Sequence, residues 1–116
     1  MNEQLILDLY KNRKYEITPE QLLEPVYVAE NASCGDKIVF FRNDEEQTFR
    51  YSAQACSLTV ASAEYIARKL FQEPTIEISL LQEQLLGDFE MTILDKRAAC
   101  VLLPISAIQG TAPAER

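Results

Sequence analysis

Residues 48–72 read TFRYSAQACSLTVASAEYIARKLFQ, and the spacing of their apolar side chains changes at Cys56. Before the cysteine, polar and apolar residues alternate over Thr48–Tyr51, which predicts a strand with one buried face. After it, apolar residues recur on one helical face, at Leu58, Ala61, Tyr65, Ile66 and Leu70. Glu73-Pro74 ends this pattern, because proline disfavours the helical conformation of the residue before it. The stretch therefore predicts a strand followed by a helix, with Cys56 at the junction.

Two further strands and a first helix are predicted upstream of this junction. Val26 and Val28 alternate with Tyr27 and Ala29, an apolar run follows at 38–41, and the polar residues 43–46 supply a turn before the third strand. The loop Cys34-Gly35-Asp36 joins the first two strands. Nearer the N-terminus, Asn2 is a candidate helix cap before an apolar stripe at Leu5, Ile6, Leu9 and Tyr10. Thr18-Pro19-Glu20 predicts a turn or the start of a short helical element.

Downstream of Pro74 two more helices are predicted. A weaker helical pattern covers residues 78–86 and is closed by Gly87-Asp88. The last helix begins near Lys96 or Ala99 and runs to Ile108, provided that it starts late or kinks at Pro104. The predicted class is α+β, with an N-terminal helix, a three-stranded antiparallel sheet and C-terminal helices packed on one sheet face. We expect one domain over residues 1–109 and a disordered tail over 110–116.

The composition of the chain argues against several kinds of partner and of catalytic mechanism. The formal net charge of -7 disfavours nucleic acid as a partner, because binding to a phosphate backbone needs a basic surface. No apolar run is long enough to span a membrane and no signal-peptide pattern is visible, so we expect a cytoplasmic protein with no membrane partner. The chain has no histidine, which excludes Ser-His-Asp and Cys-His catalysis and metal sites that need imidazole.

The three cysteines are the residues most suited to chemistry. Cys34 falls on a predicted loop, while Cys56 and Cys100 fall at or near predicted helix starts, where the helix dipole stabilises an anionic thiolate. Together with Asp36 they supply four ligands, the number that tetrahedral zinc or one iron of a cluster takes. Gly35 would let Cys34 and Asp36 aim at one point. The spacing leaves a second interpretation open, in which three unrelated cysteines are core residues.

The short sequence motifs around the cysteines resemble those of the U-type iron–sulfur cluster assembly scaffolds: IscU, SufU and the N-terminal domain of NifU. Cys34-Gly35-Asp36 matches the first cysteine motif, and Cys56 with Ala61-Ser62-Ala63 matches the second. Around the third cysteine the matching residues are Cys100, Leu103, Ala107 and Ile108, and residues 6–12, ILDLYKN, are similar to the family's first helix. The chain departs from IscU at Ala99, where IscU has a histidine, and lacks its Leu-Pro-Pro-Val-Lys motif. It also lacks the SufU insertion between the second and third cysteines and the usual glycines before Cys56, so it fits neither branch cleanly.

The resemblance implies an IscU/SufE-like fold and a scaffold that takes sulfur from a cysteine desulfurase. Cys34 or Cys100 would accept the persulfide, and a transient [2Fe–2S] cluster would be held by Cys34, Cys56 and Cys100 with Asp36 as the oxygen ligand. Apo iron–sulfur proteins would receive the cluster, and the chain would be a monomer or weak dimer. One alternative is a SufU-like sulfurtransferase with Zn²⁺ on the same four residues. Another is a degenerate paralogue that acts as an interaction or regulatory protein.

Overall fold

The computed structural model describes residues 1–17, 25–31, 35–43 and 48–111, and it confirms the α+β class. The chain forms α1 (Glu3–Lys11), β1 (Pro25–Asn31), β2 (Asp36–Asn43), β3 (Thr48–Gln54), α2 (Ser57–Gln72), α3 (Ile78–Asp88), α4 (Ala98–Ser106) and a π-helical turn (Ala107–Thr111). The predicted turn at 18–20, residues 44–46 of the predicted polar turn and the end of the tail at 112–116 lie outside the described residues. The division into one domain and a tail stays a prediction.

The three strands form an antiparallel sheet in the order β1-β2-β3, as the meander predicts. Phe40 in the middle of β2 lies opposite Tyr27 on one side and Tyr51 on the other. Along β2 every second residue is buried, at Asp36, Ile38 and Phe40. Because strand side chains alternate between faces, this carboxylate points to the same sheet face as the two apolar side chains.

Helix α2 is the central helix of the fold and contacts α1, α3, α4 and β3. Its alanines Ala61, Ala63 and Ala67 are fully buried, and their small side chains allow the neighbouring elements to approach closely. Helix α1 begins at the predicted cap, since the Asn2 side chain accepts a hydrogen bond from the Leu5 N–H at 3.3 Å. Helix α4 and the π-helical turn contact β1 and β2. The helices therefore cover the sheet face to which Asp36 points.

Two helix boundaries differ from those that the sequence predicts. Helix α3 includes Gly87 and Asp88 rather than closing there, and the N–H of Phe89 still reaches the Leu85 carbonyl at 2.9 Å. Helix α4 begins at Ala98, within the predicted start, and keeps Pro104 inside it, but it ends at Ser106 rather than Ile108. Proline has no N–H to give to the carbonyl four residues back, and the helix widens into a π-helical turn within three residues of Pro104. Within the described residues, no helix is both long and apolar enough to cross a membrane.

Candidate metal centre

Asp36, Cys56 and Cys100 meet at one end of the sheet although they lie far apart in sequence. Their candidate ligand atoms, one carboxylate oxygen and two sulfurs, all lie within 4.8 Å of one another. The structure thus brings together three of the four residues that the sequence singles out. The fourth, Cys34, lies outside the described residues. The alternative of unrelated core cysteines does not fit Cys56, which is exposed, or Cys100, which is half-buried.

Each of the three residues stands at the start of a secondary-structure element. Asp36 opens β2 directly after Gly35, whose φ of +73° is a left-handed backbone conformation that glycine adopts without strain. Cys56 is the N-cap residue of α2, and Cys100 lies in the first turn of α4. The strand and the two helices therefore begin at the same place, and their first residues surround the site.

A buried serine fixes the distance between the two cysteine-bearing helices. The Ser62 hydroxyl is fully buried and donates a hydrogen bond of 2.6 Å to the Val101 carbonyl. Val101 directly follows Cys100, so this bond ties the first turns of α4 to the middle of α2. This explains the Ala61-Ser62-Ala63 motif in structural terms. The alanines permit close packing, and the serine supplies the hydrogen bond to α4.

The Asp36 carboxylate is only 6% exposed and is held by two hydrogen bonds. Its Oδ1 accepts a bond of 3.3 Å from the Cys56 N–H, and its Oδ2 accepts one of 3.0 Å from the Thr59 hydroxyl. Asp36 thus caps the N-terminus of α2 from the neighbouring strand. A carboxylate offers about four acceptor positions, so two accepted bonds leave positions for a metal ion.

The electrostatics of the site favour anionic ligands. Two helix N-termini, those of α2 and α4, point their partial positive charge toward the thiols. Neither helix has an acidic residue in its own first turn, while Asp36, itself a candidate ligand, places its carboxylate against the N-terminus of α2. Thiolates are the form of cysteine that binds metals and attacks sulfur.

The donor set fits a soft or borderline metal. Zinc bound at about 2.3 Å by thiolates has ligands about 3.8 Å apart in tetrahedral geometry. The spread of up to 4.8 Å among the three donor atoms therefore needs to close by only about an ångström around one ion. Two thiols and one carboxylate suit zinc or iron better than calcium or magnesium, which take oxygen ligands.

An exposed apolar loop leads to the third cysteine. In the segment between α3 and α4, Ile93 is 65% exposed and Leu94 is 90% exposed. Arg97 ends the segment as the N-cap residue of α4, with its N–H donating to Asp95 Oδ1 at 3.2 Å.

Sequence reasoning missed Thr59 as part of this site. Thr59 is fully buried, and its hydroxyl oxygen lies 3.3 Å from the Cys56 sulfur as well as 3.0 Å from Asp36 Oδ2. The available signal was its position three residues after Cys56, one helical turn along the predicted helix. A threonine at that spacing lies beside the cysteine on the same helix face.

The fold and the Asp–Cys–Cys cluster define a class of α+β protein. In this class a three-stranded antiparallel sheet and two helix N-termini hold cysteine thiols at one end of the sheet. Several solved structures share the fold, among them the following two. The SufU protein of Fervidobacterium islandicum AW-1, assigned as an iron–sulfur cluster assembly scaffold for the SUF system, aligns with a TM-score of 0.64 at 16% identity, covering 94% of this chain and 93% of that chain. The N-terminal part of a nitrogen-fixing NifU-like protein from Brucella abortus aligns with a TM-score of 0.58 at 20% identity, covering 90% of this chain and 87% of that chain.

The chain therefore has the fold of the U-type scaffold proteins, and the predicted resemblance is confirmed for the fold. No protein-family model and no curated protein sequence matches the chain. Identities of 16% and 20% show a shared fold, whereas function depends on the residues of the site.

Proposed function

We propose that this protein is an iron–sulfur cluster assembly scaffold that accepts sulfur from a cysteine desulfurase and holds a transient [2Fe–2S] cluster. The observation that carries the proposal is the convergence of Asp36, Cys56 and Cys100 within 4.8 Å on the fold of such scaffolds. Cys34 is the proposed fourth ligand. It lies two residues before Asp36, and covalent geometry keeps their Cα atoms within about 7 Å.

The proposed sulfur transfer is a thiol-exchange step. The thiolate of Cys34 or Cys100 attacks the outer sulfur of a persulfide on the desulfurase, forming a new S–S bond. The S–S bond on the enzyme breaks, and its cysteine leaves as a thiolate, so no external oxidant or reductant is needed. Cys100 is half-buried at the start of α4, beside the exposed loop that carries Leu94. That position leaves its sulfur reachable by a docked partner.

The proposed site suits a cargo that must leave again. Cluster iron prefers thiolate sulfur, and Asp36 is the one oxygen donor in the proposed set. A carboxylate holds the cluster less tightly than a fourth thiolate would. Such a site would release the cluster to apo iron–sulfur proteins, which are the proposed recipients.

A zinc-bound sulfur acceptor is the second candidate, favoured by Ala99. In IscU a histidine at this position would serve as a further ligand, whereas this chain has none. Zinc on Cys34, Asp36, Cys56 and Cys100 would keep the thiols deprotonated and order the site. In that case the protein would pass on sulfur rather than a cluster.

Metal and acid-labile sulfide in protein purified without oxygen distinguish the candidates. Iron with matching sulfide supports the scaffold, and one zinc per chain without sulfide supports the sulfur acceptor. If neither is present even after incubation with a cysteine desulfurase, cysteine, ferrous iron and dithiothreitol, which reduces the persulfide sulfur to sulfide, the scaffold proposal is wrong and the interaction protein is favoured.

Matched cysteine variants locate the site in the same assay. Cys34→Ser, Cys56→Ser and Cys100→Ser should each lower metal content markedly, because serine oxygen is a poor substitute for thiolate. Ser57→Cys next to the site serves as a control that adds a thiol without removing a ligand. Full metal content in Cys100→Ser would show that Cys100 is not a metal ligand.

A further inference from the structure

A second surface feature lies at the other end of α2 from the cysteines. A pocket of about 690 Å³ opens between the segment after α1 and the last turn of α2. Its lining includes Arg13, Lys14, Tyr15, Arg68 and Phe71. Arg68 follows Cys56 by twelve residues, which places the pocket about 18 Å along the helix from the candidate metal centre.

The pocket is basic on a strongly acidic chain. Three of its lining residues, Arg13, Lys14 and Arg68, are cationic, whereas the whole chain has a net charge of -7. Arg50 adds a fourth cation at the rim, since it donates a hydrogen bond of 2.9 Å to the Lys14 carbonyl. Lys69 lines an adjoining pocket that shares Arg68. Basic side chains concentrated this way create a local positive field that attracts anionic groups.

Carboxylates near the pocket offset only part of this charge. Glu64 is fully buried and accepts a hydrogen bond of 2.7 Å from Arg68 Nε, and Glu16 lies 3.5 Å from Arg13. Lys14 is exposed and forms no salt bridge within the part of the chain that the structure describes. Its ammonium group therefore contributes positive charge to the solvent-facing side of the pocket.

An exposed aromatic ring forms the apolar wall of the same pocket. Phe71 is 50% exposed, and its ring centroid lies 6.1 Å from that of buried Tyr15. A half-exposed phenylalanine beside cations offers a contact surface for another apolar side chain. The pocket thus combines the two features that an acidic segment with an apolar anchor would use.

The walls of the pocket are held in place by two hydrogen bonds, one buried and one exposed. Glu64 accepts a bond of 3.1 Å from the Tyr15 N–H, and Arg68 donates one of 2.6 Å to the Asn12 carbonyl. These bonds fix the segment after α1 against α2. A preformed site loses less conformational entropy on binding than one that must order itself.

We propose that this pocket docks an acidic peptide segment of a partner protein that carries one aromatic or bulky aliphatic side chain. The charge of the pocket selects the acidic residues, and Phe71 contacts the apolar one. Because the pocket lies about 18 Å along α2 from Cys56, a partner bound there leaves the thiols accessible. The proposal does not depend on metal or sulfur chemistry.

A designed peptide tests the proposal on the full-length chain. The probe is a fluorescein-labelled ten-residue peptide of Asp and Glu with one central Phe, and its companion carries Asn and Gln in place of the acids. In ¹⁵N-labelled protein, the acidic peptide should shift the amide signals of Lys14, Arg68 and Phe71. Fluorescence anisotropy should show that Lys14→Glu weakens binding about fivefold, and Phe71→Ala by a similar factor.

Lys37→Glu is the matched control, because it makes the same charge change at an exposed lysine of β2 and should leave binding within about twofold of the unmodified chain. Equal weakening by Lys37→Glu, or equal binding of the Asn/Gln companion, would overturn the proposal. Inorganic phosphate that displaces the peptide at millimolar concentration would assign the pocket to small anions instead. A dimer in sedimentation that Lys14→Glu dissociates would show that a second copy occupies it, which also overturns the proposal. Circular dichroism confirms that each variant is folded.

Discussion

Thr59 donates a hydrogen bond to Asp36 across 3.0 Å between Oγ1 and Oδ2, and this bond joins α2 to the first residue of β2. The same hydroxyl oxygen lies 3.3 Å from the Cys56 sulfur. One fully buried side chain therefore touches two of the three candidate ligands that the structure describes. Its contacts orient both donors before any ion arrives, as outer hydrogen bonds do at metal sites.

Thr59→Val should lower the affinity of the site for zinc about tenfold, because groups that orient metal ligands typically contribute that much. Valine keeps the shape of threonine but cannot donate to Asp36. Competition with a chromophoric zinc chelator measures the change. The free energy of unfolding of Thr59→Val should be lower by about 1–3 kcal/mol, since the buried Asp36 carboxylate loses a hydrogen-bond donor.

Thr59→Ser is the control for this prediction because it keeps the hydroxyl and removes only a methyl group. Its zinc affinity should stay within about threefold of the unmodified chain. Equal affinities in Thr59→Val and the unmodified chain would show that the hydroxyl does not orient the ligands.

Asp36→Ala should lengthen the lifetime of a reconstituted cluster. The substitution removes the one oxygen donor of the proposed set and leaves three thiolates, so the site loses its labile ligand. The decay of cluster absorbance in the presence of a chelator measures this lifetime. Loss of the cap on α2 should cost about 1 kcal/mol of stability in the same variant.

Asp8→Ala is the matched control for charge, since Asp8 lies exposed on α1 and bonds to the Gln4 side chain. Its cluster should decay at the rate of the unmodified chain. A cluster in Asp36→Ala that is no longer-lived than this control would count against Asp36 as a ligand.

The order of elements was predictable because local patterns decide it. The change of period at Cys56 marks the end of β3 and the start of α2, and the sequence therefore places this cysteine at a helix start. The partner of Thr59 was not predictable in this way. Asp36 lies 23 residues earlier, and no local pattern indicates which strand position faces which helix turn.

Glu64 shows a second limit of sequence reasoning. A glutamate in the middle of an amphipathic helix is normally exposed, yet Glu64 is fully buried. Its burial depends on three donors: Tyr51 Oη at 2.9 Å, the Tyr15 N–H at 3.1 Å and Arg68 Nε at 2.7 Å. Arg68 was visible in the sequence as an i,i+4 partner, whereas the two tyrosines come from distant segments.

The fold should lose stability at alkaline pH because Tyr51 must stay protonated inside it. Burial, together with the charge and the hydrogen bond of Glu64, raises the pKa of Tyr51 well above 10.0. The unfolded chain releases this proton near pH 10 and the folded chain does not, so rising pH lowers the free energy of the unfolded state relative to the folded state. Stability is complete below pH 10 and should fall by about 1.4 kcal/mol per pH unit above it for this residue alone.

Tyr65 adds to the same effect. Burial and a hydrogen bond of 2.5 Å to Asp88 raise the pKa of Tyr65 above 10.0 as well. Urea unfolding at pH 9, 10 and 11 measures the combined slope of stability against pH.

Tyr51→Phe should reduce this slope above pH 10. It should also lower the free energy of unfolding at neutral pH by about 1–2 kcal/mol, because Glu64 loses one hydrogen-bond donor. If the slope is the same in Tyr51→Phe and the unmodified chain, Tyr51 does not cause the loss of stability at alkaline pH.

Gly35 and Gly87 should respond in opposite directions to substitution by alanine. Neither site has an atom within 4 Å of the added methyl group, so backbone conformation decides the result. Gly35 has a φ of +73°, where alanine is strained, and Gly35→Ala should lose about 1–2 kcal/mol of stability. Gly87 lies inside α3 without such a φ, and Gly87→Ala should gain about 0.5–1 kcal/mol.

Urea denaturation of the two variants at neutral pH measures both values against the same unmodified chain. Because Gly35 directly precedes Asp36, its replacement should also weaken zinc binding in the chelator assay, whereas Gly87→Ala should leave binding unchanged. Gly35→Asn separates strain from the loss of glycine itself, since asparagine tolerates the left-handed conformation better than alanine. If Gly35→Asn binds zinc as weakly as Gly35→Ala, backbone strain before Asp36 is not what controls the site.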